Sequence, residues 1–145
     1  MVQVEEFVHE MFSLTAADFG LLTCLSDLKA KNTVASSYSY KGMSLESGVP
    51  GIYWTNFFSN ELALWLGIED FPRELAEIRH LAGGGVLLEF CELPEQCRDF
   101  EVLQKQRAAI EWLGSEKFFD IDHPARKAVT PDWNKLSLQF RHLPE

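Results

Sequence analysis

Positive charge is scarce in this chain. Its 145 residues carry 13 Lys and Arg against 22 Asp and Glu, a formal net charge of −9. That balance argues against direct binding to nucleic acid or to an anionic membrane, since both demand a basic surface. It fits a basic partner, or simply solubility. Cysteine is scarce too. Cys24, Cys91 and Cys97 are odd in number and show no paired spacing. The expectation is three reduced thiols, as in a cytosolic protein, rather than a disulfide framework. No apolar run approaches the length of a membrane span. The opening "MVQVEEFVHEMF" carries acids where a secretory signal has basic residues. Together these point to a cytoplasmic protein.

The familiar catalytic signatures are missing as well. No serine stands in a G-x-S-x-G turn. "AGGGV" lacks the Lys-Ser/Thr ending of a phosphate loop and reads as a hairpin turn. Cys91 and Cys97 are too far apart for a zinc ligand pair, and no second pair follows. The best metal candidate is "DIDH", in which Asp120, Asp122 and His123 alternate as hard ligands for a divalent ion. It lacks the glycine and glutamate of a calcium loop, so a solvated acidic loop is the plainer reading. No metal or cofactor is implied, and nothing in the residues argues for an enzyme.

What is present is hydrophobic pattern, with 46% hydrophobic residues, enough for one α+β domain over residues 1–145. Val4, Phe7, Val8, Met11 and Phe12 repeat at helical spacing and predict an amphipathic helix over about 3–14. "FGLLTCL" reads as a strand, although Leu21, Leu22, Leu25 and Leu28 could also line a helix. A Ser- and Gly-rich loop spans about 36–50. "IYWTNFF" has strong strand propensity. Ser59 can cap a short helix with Leu62, Trp65 and Leu66 on one face, and Gly67 ends it. Two runs around "AGGG" predict a β-hairpin. Val102, Leu103, Gln106, Ala109, Ile110 and Leu113 form the inner stripe of a helix over about 99–113. The compact part is expected to be about 1–119, with a small, mostly antiparallel sheet, two or three helices, and an irregular tail over 120–145 broken by prolines.

The densest feature is "PGIYWTNFFSNELALWLG", which gathers Tyr53, Trp54, Phe57, Phe58 and Trp65 around one amide, Asn56. Buried, that amide needs partners, because an unpaired one costs about 1–3 kcal/mol. It is read as fixing a strand–helix corner, with recognition as the alternative. Trp54, Phe57, Trp65, Ile110 and Leu113 are expected to share one core.

The pattern Gly51, Tyr53, Trp54, Asn56, Phe57, followed by a helix ending at Trp65–Gly67, resembles bacterial immunity proteins encoded beside polymorphic or type VI secretion toxins. The immunity protein 52 family is the nearest group. The resemblance continues through "GGGVLLEF", a helix ending "WLG", and Phe118–Phe119 in "FFDIDHPARKAVTPDW", covering about Gly51 to Trp133. It implies a non-enzymatic inhibitor of one toxin, plausibly a basic nuclease domain, with a homodimer left open. Tyr38, Tyr40, Glu46, Glu69, Asp70, Asp120 and Asp122, on exposed loops, are the residues expected to meet the toxin. The competing readings are a metal-dependent hydrolase built on Asp120, Asp122 and His123, and an adaptor or chaperone that delivers an effector.

Overall fold

The computed structural model describes residues 2–15, 17–34, 39–82 and 84–132. Its organising element is β2, Thr55–Phe58, whose four side chains are all buried. Aromatic residues favour a strand covered on both faces, and β2 has neighbours on both sides. β1, Phe19–Leu22, and β4, Val86–Glu89, flank it, and β3, Glu77–His80, pairs beyond β4. Every pairing is antiparallel, giving the order β1-β2-β4-β3. The hairpin expected around "AGGG" is β3–β4. β1 and β3 are the sheet's edges, and Glu77 and His80 of β3 are exposed.

Four helices complete an α+β fold: α1 Val2–Thr15, α2 Leu25–Asn32, α3 Asn60–Leu66 and α4 Phe100–Leu113. The ambiguous "FGLLTCL" divides. Its first half is β1, and helix α2 begins at Leu25. Directly opposed residues in the register share a face, so Gly20, Phe57 and Leu87 look one way while Phe58, Val86 and Leu88 look the other. On the first face the Phe12 ring of α1 lies 5.6 Å from that of Phe57. The second face holds the main core, where Phe58, Leu62, Leu66, Leu88, Val102, Ala109, Leu113 and Phe118 meet. Trp65 and Ile110 pack against this core half-buried. Trp54 and Phe57 are buried outside it, so the five residues expected in one core are split by the sheet.

Local chemistry sets the boundaries. The Ser59 hydroxyl accepts from the amide of Leu62 and starts α3, and Gly67, at φ 80°, ends it in the left-handed region. Periodicity places α1 correctly, yet its stripe is only half covered. Val8 and Phe12 are half-buried, while Phe7 and Met11 stay 61% and 44% exposed. The side chain of Val4 lies outside the described residues. Beyond Phe119, the described residues 120–132 form no helix or strand, and 133–145, with Trp133, lie outside the described set.

The sulfurs of Cys24 and Cys97 are joined in a disulfide. This corrects the expectation of three reduced thiols, of which only Cys91 is free. The pair is 73 residues apart in sequence, so no spacing rule shows it. The fold makes the pair by setting the start of α2 against the turn Pro94–Arg98 that leads into α4. Arg98 reinforces the junction, donating from Nη1 to the carbonyl of Ser26 at 3.2 Å.

Candidate functional site

Two neighbouring features carry the polar chemistry: a layer of two laced loops, and a buried cluster beneath it.

The loops come together through Val49 and Phe118, which form a parallel bridge. The Val49 amide donates to the Lys117 carbonyl, and the Phe119 amide donates to the Val49 carbonyl, each at 2.9 Å. Gly42, at φ 66°, faces the Phe119 ring so closely that a Cβ there would fall inside it, so only glycine fits. The loop that carries Tyr40 and Glu46 is thereby fastened to the segment that carries Asp120 and Asp122. Tyr40, Glu46 and Asp122 are exposed. Glu69 and Asp70 are exposed on a separate turn, Ile68–Asp70, beyond α3. Tyr38 lies outside the described residues.

Asp120 is a different kind of residue from the other acids. Its Oδ1 accepts from the amides of Asp122 at 3.0 Å and His123 at 3.3 Å. Its Oδ2 stands 3.0 Å from His123 Nδ1 and 3.4 Å from Arg126 Nη1. The hydrogen bond from His123 holds its carboxyl below the usual carboxylate range, helped by the two amides. Arg126 also donates to the Ser115 carbonyl at 3.1 Å. Asp120 therefore orders its own loop. Among the described residues no group of three or more His, Cys, Asp or Glu side chains is placed to hold a metal ion.

The motif residues of the aromatic stretch take structural places. Gly51 is buried on the approach to β2. Trp54 donates from Nε1 to the Cys91 carbonyl at 2.6 Å. Asn56 is fully buried. It accepts from the Tyr53 amide and donates to the Tyr53 carbonyl, at 2.9 and 3.0 Å. It thus fixes the bend entering β2 rather than the strand–helix corner that follows. Lys117 lies over the Trp65 ring at 5.2 Å, joining α3 to the end of α4.

Under the laced loops, α2, the Pro50–Ile52 turn and α4 enclose an open cavity of about 550 Å³, within the size range of small-molecule sites. At its floor, Lys31 Nζ donates to Asp27 Oδ2, the Ile52 carbonyl and Gln106 Oε1, each at 2.7 Å. It also stands 4.9 Å above the Tyr53 ring. Burial pulls the Lys31 ammonium below the ordinary lysine value, and Asp27 partly offsets this. Burial also raises the phenol of Tyr53, whose hydroxyl donates to Asn32 Oδ1. Asp27 and Gln106 are 1% and 2% exposed. Sequence reasoning missed this cluster, although two signals stood in the chain. Asp27 and Lys31 are one helical turn apart, and Gln106 interrupts the apolar stripe of α4.

No family model matches this chain, and neither curated proteins nor solved structures give a significant match.

Proposed function

We propose that this chain is an immunity-type protein that binds and neutralises a bacterial toxin, with the laced loops as its contact surface. The observation that carries the reading is the Val49–Phe118 bridge. It fastens two loops, each bearing exposed acids, into one layer supported by the sheet and α4. Recognition commonly sits on loops held by a rigid scaffold. The net charge of −9 suits a basic target such as a nuclease domain, because opposite charge speeds encounter and selects the partner. The resemblance of "PGIYWTNFF" and "GGGVLLEF" to immunity proteins supplies the class. Asp120 supports this reading over a metal-dependent hydrolase, since both its carboxylate oxygens are engaged by the chain's own donors. The cytoplasm remains the proposed place of action. No helix among the described residues is long and apolar enough to cross a membrane. The Cys24–Cys97 disulfide weighs toward an oxidising compartment instead.

The test is co-expression with the product of the adjoining gene. Growth rescue together with a co-purifying complex supports neutralisation. A complex without rescue points to an adaptor or chaperone. No binding at micromolar concentration by calorimetry overturns the proposal.

A further inference from the structure

We propose that the cavity between α2, the Pro50–Ile52 turn and α4 is a binding site for a primary carboxamide group. The inference stands independently of the immunity reading.

Lys31 is saturated by its three acceptors, so it takes no ligand itself. It acts as a clamp, holding one oxygen of Asp27 and the oxygen of Gln106. The other ends of those side chains, Asp27 Oδ1 and Gln106 Nε2, are buried and have no hydrogen-bond partner among the described residues. Such orphaned atoms cost about 1–3 kcal/mol each, so their persistence in a roomy cavity calls for a partner. One orphan is an acceptor and the other a donor. Both side chains bind one ammonium, which keeps their free ends near each other. The group that completes them must donate and accept side by side, as a carboxamide does through its NH2 and C=O. It must also be neutral. The lining carboxylates Asp27, Glu111, Asp120 and Asp122 are matched by as many Lys and Arg side chains, so the cavity has no net charge to offer an ion. Apolar lining from Leu103, Ile110 and Phe118 suits a short hydrocarbon stem.

The experiment follows the Gln106 side-chain NH2 resonances in ¹⁵N-labelled full-length protein while acetamide is titrated through the millimolar range. Acetate and acetone are titrated in parallel as the anionic and acceptor-only controls. Saturable shifts with acetamide alone are expected. No shift, or equal shifts with acetone or acetate, overturns the proposal, and in that case water alone completes the two atoms. Gln106→Glu keeps an oxygen for Lys31 but removes the donor, and should weaken acetamide binding by about tenfold or more. Unchanged affinity in that variant also overturns it. Should the variant fail to fold, the three-probe comparison on the unaltered protein still decides. Two capped tripeptides, Gly-Gln-Gly and Gly-Leu-Gly, separate the sources. Tighter binding of the glutamine peptide than of acetamide assigns the group to a protein side chain, and the reverse assigns it to a free small amide.

Discussion

Asn56 and Tyr53 close a small ring of hydrogen bonds inside the protein, with the Asn56 carboxamide serving both the N–H and the C=O of one buried peptide residue. Replacing Asn56 with Ala strands both backbone groups. Each group left unpaired should cost about 1–3 kcal/mol. Urea denaturation of Asn56→Ala against wild type measures the loss. An unchanged midpoint would remove Asn56 from the supports of the bend.

Lys31 neutralises a carboxylate that is almost wholly buried. Lys31→Met should therefore destabilise the protein by about 3–5 kcal/mol, because it leaves Asp27 uncompensated. The double variant Lys31→Met with Asp27→Asn should recover part of that loss. The double-mutant cycle is read by denaturant unfolding, and simple additivity would mean that the pair is not coupled.

The disulfide closes a long loop. In the chain-entropy view, its reduction should cost about 4 kcal/mol. Thermal unfolding with and without reductant, and of Cys24→Ser with Cys97→Ser, checks this. The remaining thiol, Cys91, is pushed up to about 11, first by burial and then by nearby acids. Its alkylation at pH 8 should run about one to two orders of magnitude slower than that of a free cysteine. Two fast-reacting thiols in untreated protein would show the pair reduced.

Asp120 and Asp122 should behave oppositely on reversal. Asp120 has a lowered value in the folded protein, so its contribution is fully present above the ordinary value of 3.8 and fades as pH falls through the folded value. The amide resonances of Asp122 and His123 should report that transition in acid, and Asp120→Lys should disorder the loop at neutral pH. Glu46→Lys with Asp122→Lys should leave folding intact. It should slow association with a basic toxin and flatten the salt dependence of the rate. Stopped-flow rates at two ionic strengths decide, and equal slopes would exclude this surface.

Much of the fold was legible because its strongest elements agree with their own sequence. β2 is aromatic, β3 and β4 flank a glycine turn, α3 has Ser59 and Gly67 at its ends, and α4 keeps a clean stripe. What was hidden depends on closure in three dimensions. Cys24 meets Cys97, and Lys31 meets Gln106, only because α2 folds back onto α4. Periodicity shows which face of a helix is apolar, but not whether a neighbour covers it, and so Phe7 and Met11 stand exposed. In "DIDH" the residue types suggested ligands, whereas Asp120 spends its oxygens on the turn that follows it.

The outer strand β3 bears on how copies of this chain meet. A free strand edge invites another to add to it and extend the sheet. Here that edge is only four residues long, Glu77 and His80 are exposed on it, and Arg79 is drawn across to Glu89 of the neighbouring strand. An incoming copy would have to set charge against charge along a very short ladder. The hairpin thus closes the sheet chemically where it stays open geometrically, and self-association must use some other face.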